Sequence, residues 1–138
     1  MTGVYVSMAV VVLAWGSYPL VVRSTGVGGP VGALLLTLAA LLPIVTANLW
    51  QGGNTKLSIG DWVRFGIAGV IMGMGTTAFN FLVNDRRVDA SIAIPMVNSG
   101  MLLVTVLGAL WFYAEPASIR KLFGVALILA GMFVLRPS

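Results

Sequence analysis

Polar residues interrupt this chain only at intervals, and between the interruptions lie five long apolar runs, at about 3–22, 30–50, 62–83, 90–113 and 118–135. Each approaches the roughly 20 mostly apolar residues that a helix needs to cross a hydrocarbon layer. Arg23 and the turn-prone 24–30 stretch end the first run, and the glycine-bearing polar stretch 51–60 closes the second. Asn84, Asp85, Arg86 and Arg87 stop the third, because four polar or charged residues in succession do not stay in hydrocarbon. Glu115 and Pro116 mark the turn into the fifth, since proline is tolerated in the first turn of a helix and not deep inside one. The runs are continuously apolar and do not alternate, which predicts helices and disfavours a barrel. The expected fold is therefore all-α, a polytopic membrane bundle of about five transmembrane helices forming one domain over 1–138.

Composition agrees. Of 138 residues, 59% are hydrophobic and 9% charged, against about 25% charged in ordinary soluble domains. A mean hydropathy of +1.01 is spread along the whole chain, so the first run is read as a retained span and not as a cleaved leader; no basic residue precedes it. Trp50, Trp62, Trp111 and Tyr113 fall near span ends, where interfacial aromatics belong. The formal charge of +4 could suggest nucleic acid, but the basic residues stand singly or in pairs at the ends of apolar runs, a pattern that suits lipid headgroups. No nucleic-acid partner is expected.

The chain has no cysteine and no histidine, which removes thiol nucleophiles, imidazole acid-base chemistry and the usual zinc ligands. Asp61, Asp85, Asp89 and Glu115 all lie at span ends. No carboxylate is placed mid-membrane to couple protons or cations, and no glycine motif followed by Lys offers a phosphate site. No enzyme activity, metal or cofactor is expected.

Helical spacing collects the polar and small residues within the spans. In the third, Gly66, Gly69, Gly73, Thr76, Asn80 and Asn84 share one face; in the fourth, Ser91, Pro95, Asn98 and Thr105 do, with Ser99 at the border. Glycines three and four apart let a second backbone approach closely, so Gly69 and Gly73 read as helix packing or dimer contacts. Asn80 and Asn98 either line a solute path or tie helices together, and the spacing leaves both open. In the first span Trp15, Tyr18 and Pro19 fall mid-membrane or slightly beyond, where a loosened aromatic segment could line a solute site or pack against neighbours. Arg23 is expected to snorkel to headgroups. The expected substrate pathway is Trp15, Tyr18, Asn80, Asn98 and Ser99.

The sequence resembles the drug/metabolite transporter superfamily. Trp15, Gly16, Ser17 and the later Arg23 are similar to the start of EamA-type transporters. Ala90, Ser91 and Pro95, then Ala114 and Glu115, then Gly124, Leu127, Ile128 and Gly131 follow the order of the EamA repeat. The last group also resembles the final helix of the small multidrug resistance proteins, four-helix relatives that work as antiparallel dimers. Gly124 and Gly131 lie seven apart on one face, which suits a packing or dimer contact. The chain departs from that family in its fifth span and in lacking the Glu of its first helix, and from ten-helix EamA members in carrying one five-helix repeat. The resemblance implies alternating-access transport of a small organic metabolite between two inverted halves, the second half being another copy or a paralogue. It also implies a bacterial or archaeal plasma (inner) membrane. A subunit of a lipid-linked sugar flippase, or of a non-transporting membrane complex, is the alternative.

Lys56, Arg64, Arg120 and Lys121 would lie on one face of the membrane, and Arg23, Arg86, Arg87 and Arg136 on the other. Because the Lys and Arg bias orients a membrane protein, this tie is consistent with insertion both ways and an inverted homodimer, the alternative being a single orientation fixed by a partner or by charge position. Reporters fused to the C-terminus should then be active on both sides of the membrane; activity on one side alone would remove dual insertion.

Overall fold

The computed structural model describes residues 2–52 and 56–135, so Arg136 lies outside the described residues. Those residues form five α-helices: α1 Thr2–Thr25, α2 Gly29–Trp50, α3 Ile59–Asn84, α4 Ala90–Phe112 and α5 Ile119–Val134. The first four are long and apolar enough to cross a membrane. At 16 residues, α5 is about 24 Å long at ~1.5 Å per residue, short of the ~30 Å hydrocarbon thickness.

Local chemistry accounts for where the helices begin and end. The first runs past Arg23, because Ser24 and Thr25 donate their hydroxyls back to the Val21 and Val22 carbonyls, at 2.6 and 2.7 Å. Pro30 opens α2, where a missing N–H costs nothing. A reciprocal cap starts α3 earlier than the apolar pattern suggests: Ser58 Oγ accepts from the Asp61 amide at 3.2 Å, and Asp61 accepts from the Ser58 amide at 3.0 Å. Between α4 and α5 the turn takes Ala114 to φ 50°, a left-handed conformation that costs a non-glycine residue about 1–2 kcal/mol.

The chain divides into two compact units, one up to Arg86 and one from Arg87 onward. In the first, α3 contacts both α1 and α2, and the contacts gather at one end. The buried residues there are Pro19 of α1, Gly29, Gly32 and Ala33 of α2, and Asn80 and Val83 of α3. The start of α2 thus meets the finish of α3, and glycines permit the approach. A Cβ on Gly29, whose φ is +65°, would lie 2.7 Å from the Phe81 ring; one on Gly32 would collide with the Val27 carbonyl oxygen. In the second unit α4 packs on α5, and Lys121 Nζ meets Glu115 Oε2 at 2.9 Å on an exposed surface, a pair worth about 0–1 kcal/mol.

Away from that end the spans are uncovered. Only 6% of the α1 span and 11% of each of the α2, α3 and α4 spans is buried. The glycine faces belong to this uncovered part: a Cβ at Gly66, Gly69, Gly73, Gly124 or Gly131 would meet nothing within 4 Å.

Gly32→Ala should therefore destabilise the α2–α3 contact by about 1–3 kcal/mol through overpacking, read as a lower unfolding midpoint in detergent. Gly66→Ala should leave that midpoint unchanged or slightly raised, since alanine is the better helix former. Ala114→Gly should raise the stability of the α4–α5 unit by up to about 1 kcal/mol by relieving the left-handed turn.

Candidate functional site

Hydroxyl groups inside the helices make no demand on neighbours. Ser7, Ser17, Thr37, Thr46, Thr76, Thr77 and Thr105 each donate to the carbonyl four residues earlier, at 2.7 to 2.9 Å. The asparagines are different, because an amide has two donors and two acceptor sites to satisfy.

Asn80 is the buried polar residue of the described chain, at 1% exposure. Its Nδ2 donates to the Thr76 carbonyl at 3.0 Å. One turn on, Asn84 Nδ2 donates to the Asn80 carbonyl at 3.1 Å and across to the Val27 carbonyl at 3.3 Å, tying α3 to the segment that precedes α2. Oδ1 of both residues is buried and accepts no hydrogen bond from any described residue. Each such atom costs about 1–3 kcal/mol, an expense that a membrane protein does not carry without a reason.

Arg23 completes this junction. Its Nη1 donates to the Val83 carbonyl at 3.1 Å, so the guanidinium serves the last turn of α3, where carbonyls lack helical partners and the dipole is negative. The side chain is half-buried. The sequence predicts a headgroup partner; a protein carbonyl also lies within reach of the guanidinium. Helices α1, α2 and α3 meet in one polar knot made of Arg23, Val27, Asn80, Val83 and Asn84.

The expected pathway residues divide by position. Tyr18 is half-buried and stacks obliquely on Phe79, with ring centroids 6.1 Å apart and an interplanar angle of 46°. Asn80 is the next residue, so Tyr18 and Asn80 fall at the same α1–α3 contact. Pro19 beside them is fully buried, and its missing N–H leaves the Trp15 carbonyl without a helical donor. Trp15 itself is 60% exposed. In the second unit Asn98 is exposed and Ser99 half-buried on α4, one turn beyond Pro95.

A groove of about 490 Å³ runs along α3, lined by Gly73, Met74, Thr77, Ala78 and Phe81. All its walls belong to one helix, so it is open to the side. Among the described residues no cluster of three His, Cys, Asp or Glu could hold a metal ion.

The sequence pointed to Asn80 but passed over Asn84 as a separate site residue and missed Val27, Gly28, Gly29 and Gly32. The repeat of Asn at positions 80 and 84, together with glycines at 28, 29 and 32, was the available signal. Polar and small residues concentrated at matching ends of successive spans mark a place where helices converge.

Known proteins resemble this chain. The profile of the EamA-like transporter family matches residues 2–136. A multidrug resistance protein, EbrB of Bacillus subtilis (strain 168), is 34% identical over 109 residues, covering 78% of this chain and 87% of that protein. The probable 4-amino-4-deoxy-L-arabinose-phosphoundecaprenol flippase subunit ArnE of Yersinia pseudotuberculosis serotype O:3 (strain YPIII) is 31% identical over 109 residues, 77% of this chain and 90% of that protein. The protein of the same description from Pseudomonas syringae pv. syringae (strain B728a) is 36% identical over 62 residues, a match that spans 45% of this chain and just over half, 56%, of that protein. No solved structure gives a significant match. With helices of membrane-crossing length and a family match running almost from end to end, the chain is an integral membrane protein and belongs to the EamA-like transporter family.

Proposed function

We propose that this chain is one half of a transporter, and that a second copy or a paralogue, inserted in the opposite sense, supplies the other half. The pair moves a small organic metabolite across a bacterial or archaeal plasma membrane by alternating access. The observation that carries the reading is the open α3 face: Gly69 and Gly73 have no neighbour at their Cβ positions, and the groove beside Gly73 has a wall on one side only. A solute path needs walls on all sides, and glycines at helical spacing permit a second backbone to supply them. Gly124 and Gly131 offer the same kind of surface on α5. An inverted pair has a two-fold axis in the membrane plane, the symmetry on which rocking about a midplane site is built.

Within that path Trp15 and Tyr18 provide aromatic surface, while Asn80, Asn98 and Ser99 orient the solute through hydrogen bonds. The exposure of Trp15 and Asn98 supports direct contact. The burial of Asn80 supports a part reached only when the α1–α3 contact loosens. A second reading, a subunit of a lipid-linked sugar flippase, is favoured by the two relatives named as flippase subunits and by a groove that opens sideways.

The chain has no native cysteine, so Gly73→Cys gives a clean probe. Oxidation in membranes should join two copies through it, and Gly73→Leu should abolish both pairing and transport while leaving helix content intact. Retained transport by monodisperse single chains would sink the paired mechanism. Asn98→Ala should weaken solute binding roughly tenfold, the equivalent of one hydrogen bond of about 1.4 kcal/mol, without changing the unfolding midpoint. Substrate competition assigns the class: inhibition by water-soluble metabolites supports the exporter or importer reading, and inhibition by polyprenyl-phosphate sugars alone supports the flippase reading.

A further inference from the structure

The amide orientations at the polar junction are fixed by their own hydrogen bonds. Turning Asn80 over would set Oδ1 against the Thr76 carbonyl, and turning Asn84 over would set it against the Val27 and Asn80 carbonyls. Both Oδ1 atoms therefore remain acceptors, buried and without a donor among the described residues. Gly32 lies directly against one of them: a Cβ there would sit 2.9 Å from Asn80 Oδ1.

The chemistry of the surroundings selects what can bind. Two neutral carbonyl oxygens fall far short of the ~6 oxygen ligands that a hard cation collects. The Arg23 guanidinium at the Val83 carbonyl and the positive end of α2 both face this junction and disfavour a further cation. The open atoms are acceptors, so a ligand that satisfies them must donate, which an anion without a hydrogen cannot do. An uncharged O–H group satisfies the oxygens without adding charge.

We propose that Asn80 Oδ1 and Asn84 Oδ1 form a binding site for a neutral hydroxyl donor, either a buried water molecule or the hydroxyl of a polyol-like solute. The solute source rests on the transport reading above; the water source does not. In both cases the site couples ligand to conformation, since the donor sits where α2 leaves α3 and where Asn84 ties down the Val27 carbonyl.

Infrared spectroscopy tests this on the full chain in phosphatidylcholine bilayers, with ¹³C in the asparagine side-chain carbonyls. The difference between wild type and Asn80→Leu isolates the Asn80 band, and Asn84→Leu isolates its neighbour if the first variant does not fold. Both bands should lie at the lower frequency of a hydrogen-bonded amide carbonyl, and Gly32→Ala should raise that of Asn80. Glycerol is the hydroxyl probe: a further downward shift on its addition assigns the solute source, and hydrogen-bonded bands that ignore it assign water. Bands at the free-carbonyl frequency overturn the proposal, as does a shift produced by sodium chloride and not by glycerol. Because the measurement needs neither pairing nor transport, its failure is separate from failure of the transport reading.

Discussion

Hydrocarbon offers no hydrogen bonds, and the structure is organised by that lack. Helix formation satisfies nearly every backbone group, and seven serine and threonine hydroxyls within the helices, among them Ser7 and Thr105, fold back on carbonyls one turn earlier. What remains is the end of α3, whose last carbonyls have no helical partner, and the amides of Asn80 and Asn84. Arg23 from α1 and the Val27 carbonyl before α2 come to that end and meet those needs in part. Among the described residues, α1, α2 and α3 are thus drawn together at a place where polar groups have to be served.

Apolar packing plays a smaller part than in a soluble protein. Leucine against leucine is no better than leucine against a lipid tail, so helices associate through close backbone approach and hydrogen bonds. Gly29 and Gly32 supply the approach and the asparagine ties supply the bonds, while Leu42, Leu49 and Val104 stay exposed at little cost in lipid. The same physics explains why the α3 and α5 glycines are open. A glycine stripe leaves room for close approach of a backbone.

A junction confined to one end also has a mechanical consequence. The buried residues of α2 and α3 lie near Gly29–Ala33 and Asn80–Val83, and a few hydrogen bonds hold this closed end. The unsatisfied oxygens of Asn80 and Asn84 make that closed arrangement less favourable than full satisfaction would. Such a balance suits a protein of a transporter family, which has to exchange two conformations of similar free energy.

Segment length and apolarity by themselves determined that the chain is helical and membrane-embedded, because a run of some 20 apolar residues has no other stable form in a bilayer. Spacing alone also put Gly66 through Asn84 on one face, since helical geometry is local. Helix ends were legible to within a few residues, except where a local side-chain bond extended them, as Ser24 and Thr25 do for α1 and Ser58 with Asp61 does for α3. The sequence could not say which part of the α3 face would meet a neighbour. Spans that are apolar on all sides carry no pattern to mark a buried side, so the choice fell to contacts between residues nearly sixty positions apart. The approach of Asn84 to Val27, of Arg23 to Val83 and of Asn80 to Gly32 exists only in three dimensions. Tertiary structure decided that Arg23 serves the end of α3, and that two amide oxygens accept from no described residue.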